Sequence, residues 1–254
     1  KTLGRGFDSS AVVAVAAGRM RATVLWREQL RYTAADEHEV PAPVHALAFS
    51  PDGKHLLVAQ ASRLQVYDAN DGALLHSLKG HKGAIYAVAY ARDGKRFASG
   101  GTDKHIIIWT ARGEGILKYP HADSIQCLAY NPVSGSLASG TALDFGLWSP
   151  EQKAVQKHKT RSRVLCLAWN NDGTVLTLGL YSGEISLRDK AGKELALVER
   201  AAPVWSLEWN PSREAETELL AVTCWDQTLS FYDLSGEQHG LDRPLGYDPM
   251  CVSH

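Results

Sequence analysis

The chain reads as an all-β protein built from repeated four-stranded antiparallel sheets, and three features carry that reading. One phrase recurs five times: Val44–Phe49 (VHALAF), Ile85–Tyr90 (IYAVAY), Ile125–Tyr130 (IQCLAY), Val164–Trp169 (VLCLAW) and Val204–Trp209 (VWSLEW). The starts at 44, 85, 125, 164 and 204 are spaced by 41, 40, 39 and 40 residues. Within each unit the apolar period is close to two and is broken by turn residues, which argues for strands and against helices. A period near 40 residues with four short strands per unit is the signature of a β-propeller blade.

The elements follow in order. Ahead of Val44 the chain offers at most three strands, at Val12–Ala16, Ala22–Trp26 and Leu30–Thr33. In the first unit, strand one is Val44–Phe49, Pro51-Asp52-Gly53 turns it, and Leu56–Ala59 and Leu64–Tyr67 make strands two and three. Asn70-Asp71-Gly72, a tight-turn sequence, leads into strand four at Leu74–Leu78. The second unit repeats the plan with Asp93-Gly94, Arg96–Ser99 and Ile106–Trp109. The fourth does so with Asn171-Asp172-Gly173, Val175–Leu178 and Ile185–Arg188. The first strand is apolar at nearly every place, so it is expected to be buried on both faces between neighbouring blades. Five whole blades are expected within residues 44–237, with partial blades at both ends; Met250–His254 reads as the opening strand of a sixth. Ser212–Glu218 interrupts unit five between its first two strands and reads as an exposed, mobile loop. Residues 1–19 read as a leader of unclear origin, Met20 as a possible initiator, and residues 20–254 as one propeller truncated at its C-terminal end.

Composition narrows the function classes. The chain has 254 residues with 27 basic and 28 acidic side chains, a net charge of −1, which gives no basic surplus for nucleic acid. No apolar run approaches the ~18 residues of a membrane helix. Ala11–Ala17 follows Lys1 and Arg5, but it is at the lower limit for a signal-peptide core and suits a strand or unstructured leader better. The 4 cysteines show no metal-ligand spacing. Cys127 and Cys166 take the third place of the recurring phrase, where Ala46, Ala87 and Ser206 stand in other units. They read as small buried residues of a reducing compartment.

His81, Ser99, Asp103 and Trp109 are the first candidate site. A Ser, a His and an Asp invite a nucleophilic-triad reading. Their placement in an inter-blade turn, a strand and a hairpin fits a structural hydrogen-bond chain better. His121, Ser139, Asp144 and Trp148 form a similar set with a shorter Asp-to-Trp step, which makes that network doubtful. The basic stretch Lys153, Lys157, His158, Lys159, Arg161 and Arg163 reads as a solvated connection between units three and four. Lys157, Lys159, Arg161 and Arg163 are its candidate contacts to an anionic partner. There is no phosphate-binding glycine loop, no His-Glu-x-x-His and no convincing acid/base pair. No catalytic, cofactor-binding or metal-binding residue is assigned, and the chain is not expected to be an enzyme.

Gly80-His81 and the strand-ending Trp109 resemble the WD-repeat family. More specific phrases go further: Tyr86–Ser99, Lys104–Thr110, Glu114–Tyr119, Ser124–Cys127, Leu229–Tyr232, Leu234–Gly236 and above all Asp144–Lys153. These, with the spacing to Asp242-Arg243 and Asp248-Pro249, are similar to the intraflagellar transport 122 family, WD-repeat subunits of intraflagellar transport complex A. The resemblance spans about residues 20–254, and Met20–Arg27 resembles that family's beginning. It implies two N-terminal propellers followed by a helical solenoid, of which this chain covers part of the first, a seven-bladed ring. It further implies a non-catalytic scaffold in retrograde ciliary transport and in ciliary entry of membrane proteins. Its partners would be other complex A subunits and ciliary cargo adaptors, without nucleic acid, cofactor or membrane span. Its location would be the cilium or flagellum, the basal body and the cytoplasm. Two other readings share the repeats: a WD-repeat adaptor of another complex (a ubiquitin-ligase substrate receptor or chromatin reader), or a propeller enzyme or metal-binding domain, which would need carboxylates or histidines converging around the axis.

Overall fold

The structure, a computed structural model, describes residues 26, 31–33, 39–41, 43–150, 155–211 and 218–247. Among them there is no helix. β1 (Arg31–Thr33) pairs antiparallel with β2 (Glu39–Pro41). Five four-stranded antiparallel meanders follow. Blade one is β3 (Val44–Phe49), β4 (His55–Gln60), β5 (Arg63–Asp68) and β6 (Leu74–Leu78). Blade two is β7 (Ile85–Tyr90), β8 (Arg96–Gly101), β9 (His105–Thr110) and β10 (Gly115–Pro120). Blade three is β11 (Cys127–Tyr130), β12 (Leu137–Gly140), β13 (Asp144–Trp148) and β14 (Val155–Lys159). Blade four is β15 (Val164–Trp169), β16 (Val175–Leu180), β17 (Glu184–Asp189) and β18 (Glu194–Glu199). Blade five is β19 (Val204–Trp209), β20 (Leu220–Cys224), β21 (Thr228–Tyr232) and β22 (Arg243–Pro244).

The five blades of the β-propeller are thus present, each opened by the recurring phrase. In blade three the strand begins only at Cys127. The fifth blade closes later than Gly236-Glu237, because its outer strand is Arg243–Pro244. The turn from first to second strand needs a left-handed residue, supplied by Gly53, Gly94 and Gly173 at φ of 70°, 67° and 68°. The candidate strands Val12–Ala16 and Ala22–Trp26, apart from Trp26 itself, lie outside the described residues, as does Met250–His254; Arg31–Thr33 matches the third.

The core lies between blades and not within them. One cluster joins Leu57, Ala59, Leu64 and Val66 of blade one to Ile85, Phe97, Ile107 and Trp109 of blade two. Equivalent clusters join blades two and three around Ile125, three and four around Val164, and four and five around Val204. The second strands are the ones buried throughout: β8 from Phe97 to Gly101, and all of β16. The first strands are not buried on both faces as expected. Ala46 and Ala48 pack toward blade two, while Leu47 and Phe49 on the opposite face are 46% and 55% exposed. Among the described residues no sheet covers that face of β3. Further out, Trp26 packs with Leu56, Val58 and Tyr67, stacks on the Tyr67 ring and donates its indole N–H to the Ala69 carbonyl at 3.0 Å.

Glycine sets the blade spacing. A Cβ on Gly140 would lie 2.7 Å from Val164 Cγ1, and one on Gly179 would lie 2.7 Å from Val204 Cγ1. The opening residue of the next phrase therefore rests directly on the second strand of the blade before it. Main-chain bonds reinforce the contact. Ile85 N–H donates to Ala61 O (2.7 Å), Ile125 N–H to Gly101 O (3.1 Å) and Val164 N–H to Thr141 O (3.0 Å). In blades one, two, four and five the ladder shifts register across the phrase's second residue. His45, Tyr86, Leu165 and Trp205 are thereby set out of the pairing, as bulged residues are.

Ser212–Glu218 is not a wholly exposed loop. Residues 212–217 lie outside the described set, but Glu218 is 5% exposed. Its carboxylate accepts from Asn171 N–H and Asn171 Nδ2, each at 2.6 Å, and from Asn170 Nδ2 at 3.3 Å. A carboxylate taken from water needs such donors, and the first turn of blade four supplies them.

Candidate functional site

The hairpins between second and third strands and the connections between blades meet at one end of the molecule. There the four side chains of the first candidate set come together. His81, in the turn entering blade two, points Nδ1–H at Asp103, with oxygens at 3.0 and 3.1 Å. Ser99 Oγ lies 2.8 Å from His81 Nε2 and accepts the Trp109 indole N–H at 2.9 Å. With the Ser99 oxygen accepting from Trp109, its own hydrogen is directed to His81 Nε2, which leaves a neutral imidazole protonated on Nδ1. Burial depresses the His81 pKa below the ordinary histidine value, more than Asp103 raises it. Asp103 would be raised by burial, but Lys82 N–H at 3.0 Å, His81 and His105 N–H hold it below the usual carboxylate range. Ser99 is fully buried. No substrate atom can reach an oxygen so enclosed, and one of its lone pairs already serves an indole.

The Asp103→Ala variant is expected to lose about 1–3 kcal/mol, because the buried His81 Nδ1 is then left without its acceptor. Thermal unfolding measures it, and a wild-type midpoint would refute the coupling.

The second set is only partly assembled. His121 Nε2 lies 3.1 Å from Ser139 Oγ, but His121 Nδ1 is 3.7 Å from Asp144, too far for a hydrogen bond. Thr141 Oγ1 takes the Asp144 carboxylate instead, and the Trp148 indole N–H is buried without a partner. Burial, aided by Lys157, lowers the His121 pKa against the pull of Asp144.

The basic stretch is not a loop throughout. Val155–Lys159 is the outer strand β14 of blade three, so Lys157, His158 and Lys159 are strand residues and only 160–163 connect the blades. Lys157 and Lys159 are exposed, and Lys157 Nζ reaches Pro120 O at 3.3 Å. His158 stacks on Phe145 at 4.9 Å. Arg161 pairs with Glu184 at 3.2 Å, and Arg163 is exposed. Lys153 lies outside the described residues.

One cluster escaped the sequence reading. Arg200, between blades four and five, grips Asp242 with two bonds of 3.1 and 2.8 Å and also reaches Tyr232 OH and Thr228 Oγ1. Ser230 and Gln238 donate to the same carboxylate, each at 2.7 Å. Hydrogen bonds from Arg200 and Ser230 hold the Asp242 pKa at about 2. The pair ties the segment before β22 to the blade-four edge. An Asp-Arg dipeptide near the end of the repeats was its only trace in sequence.

Cys127, Cys166 and Cys224 are free thiols, and burial pushes each thiol pKa up, that of Cys224 to about 11. Among the described residues no three His, Cys, Asp or Glu side chains are placed to hold a metal ion. No helix there is long and apolar enough to cross a membrane.

Five antiparallel meanders stacked through their faces, with a His–Asp–Ser–Trp chain pinning one of them, define a WD-repeat β-propeller. The profile of the family described as IFT122 first beta-propeller matches residues 43–254. The chain belongs to that family. It is 54% identical over 239 residues to intraflagellar transport protein 122 homolog of Mus musculus, a match covering 92% of this chain and 19% of the relative. The Danio rerio homolog is 53% identical over 238 residues, with 92% and 20% covered. The Homo sapiens homolog is 43% identical over 298 residues, with 92% and 23% covered. The chain spans about a fifth of the length of these relatives.

Proposed function

We propose that this chain is a non-catalytic scaffold portion of a subunit of intraflagellar transport complex A. In this reading it serves retrograde ciliary transport and the ciliary entry of membrane proteins through protein–protein contacts. The observation that carries the proposal is the family match across residues 43–254. The burial of Ser99 supports a structural role for His81, Ser99, Asp103 and Trp109. Residues 20–254 are assigned to a first propeller, part of a seven-bladed ring, and residues 1–19 to a leader. The partners are other complex A subunits and ciliary cargo adaptors, met at the cilium or flagellum, the basal body and the cytoplasm. Exposed Lys157, Lys159, Arg161 and Arg163 are the basic contacts offered to them.

The test is company and consequence. Affinity purification of the full-length protein from ciliated cells should recover complex A subunits, and loss of the gene should leave retrograde cargo accumulated in the cilium. Recovery of a ubiquitin ligase or histones, with normal retrograde traffic after deletion, would overturn the proposal.

A further inference from the structure

Blades two and three carry the same His, Ser, Asp and Trp set, and the two differ in where one proton sits. In blade two the Trp109 indole N–H occupies Ser99 Oγ, so Ser99 donates to His81 Nε2 and the imidazole proton is on Nδ1, facing Asp103. In blade three the Trp148 indole N–H does not reach the serine. Ser139 spends its hydrogen on Gly146 O at 3.3 Å, and its oxygen accepts from His121 Nε2 at 3.1 Å. The neutral His121 is therefore protonated on Nε2, and its Nδ1 is a bare lone pair, buried and unpartnered. A lone pair repels a carboxylate. That accounts for the 3.7 Å between Nδ1 and Asp144 and for the turn of Asp144 to the Thr141 hydroxyl.

We propose that His121, Asp144 and Thr141 form a proton-driven switch in blade three: when Nδ1 takes up a proton, Asp144 leaves Thr141 and closes onto the imidazolium. The proton comes from solvent, which the 17% exposed Asp144 side chain reaches, and Nε2–H stays on Ser139. Thr141 is not orphaned by the change, because its hydroxyl already lies 3.1 Å from the Asp144 carbonyl. Among the described residues Asp144 is the carboxylate that faces the ring. Lys157 on β14 and Lys104 before β9 bring positive charge, each tied to a carbonyl, Pro120 O at 3.3 Å and Ala122 O at 3.1 Å. Tyr119 stands 5.9 Å away, His105 is held by Asp103 O, and Asp123 accepts from Ser124 N–H. Burial and Lys157 keep the His121 pKa below the ordinary 6.5 against the pull of Asp144. The unfolded chain thus takes this proton first, so the site's stability is full above about pH 6.5 and declines as pH falls toward the folded value. The hairpin also holds both ends of the basic connection: Thr160 N–H donates to Leu143 O at 2.9 Å and Val164 N–H to Thr141 O at 3.0 Å. Arg161 and Arg163 lie between these bonds, and their presentation follows the switch. Only their use as partner contacts rests on the scaffold reading.

NMR of the whole chain with isotope-labelled histidine tests it. At about pH 8 His81 should read as the Nδ1–H tautomer and His121 as Nε2–H. On acidification His121 should gain a proton, and the Thr160 and Val164 amide signals should shift with the same midpoint. Thr141→Val removes the competing hydroxyl and should raise that midpoint by about one pH unit. Asp144→Asn should lower it by about as much and leave the two amides unmoved. Circular dichroism checks folding; if one variant fails to fold the other carries the test, and the wild-type tautomers carry it if both fail. An Nδ1–H tautomer of His121 at about pH 8, unfolding before His121 titrates, amides that ignore the midpoint, or folded variants with an unchanged midpoint would each overturn the switch. None of these outcomes bears on co-purification with complex A subunits, so failure of the switch and failure of the scaffold reading stay distinct.

Discussion

Gly140→Val should lower the stability of the chain by about 3 kcal/mol, read as a fall in the urea or thermal midpoint with no change in what the surface presents. Even a bare Cβ there would press to 2.7 Å on Val164, and a branched side chain adds two more carbons to that space. Neither partner can yield cheaply. Gly140 is hydrogen-bonded in the middle of a sheet, and Val164 is fully buried and fixed by its own N–H to Thr141 O. The contrast is Gly115, where an added Cβ would lie no closer than 3.7 Å to its neighbours. Gly115→Ala should therefore be close to neutral. Equal effects of the two substitutions would show that blade spacing does not depend on the glycine.

Arg200→Ala should cost about 3 kcal/mol. The guanidinium is 10% exposed and serves Asp242, Tyr232 and Thr228, so its removal leaves several partly buried groups without a partner. Asp242 is 38% exposed, and water takes over part of its share, which keeps the loss below the upper range for buried pairs. The pH dependence has a definite sign. The Asp242 pKa is held at about 2 against 3.8 for the free side chain. The unfolded chain therefore binds a proton before the folded one does. The contribution is present above about pH 4 and is lost as pH falls from there through about 2. Acid titration of the unfolding midpoint should show wild type losing stability over that window and Arg200→Ala losing less. Parallel curves would refute the linkage.

The blades were legible because each is written in nearest neighbours: a near-period-two phrase, an Asp-Gly turn, a second apolar run. Such local signals survive in one sequence without any partner chain. What escaped depends on contacts across blades. Arg200 and Asp242 are 42 residues apart and share no motif. Glu218 read as the end of a polar insertion because its donors, Asn170 and Asn171, sit in the preceding blade. The apolar phrase misled on burial, since a strand shows its composition but not whether a sheet covers its second face; among the described residues none covers Leu47 and Phe49. His81, Ser99, Asp103 and Trp109 were visible as a set because the hairpin geometry fixes their spacing. The set around His121 shows the limit, since Asp144 opens strand β13 itself, where Asp103 stands in the hairpin before β9, and the Thr141 hydroxyl donates to it there.

The register shift in the first strands has a consequence for how such a protein changes over generations. The phrase's opening residue carries the blade-to-blade contact, and for Ile85 and Val164 its own N–H fixes the distance; the residue after it sits outside the ladder. Across the five blades that second place holds His45, Tyr86, Gln126, Leu165 and Trp205, five different chemistries on one backbone. The fold thus separates inheritance of shape from the side chain carried at each of these places. Mutation there can change one blade at a time, and the architecture does not have to be reinvented.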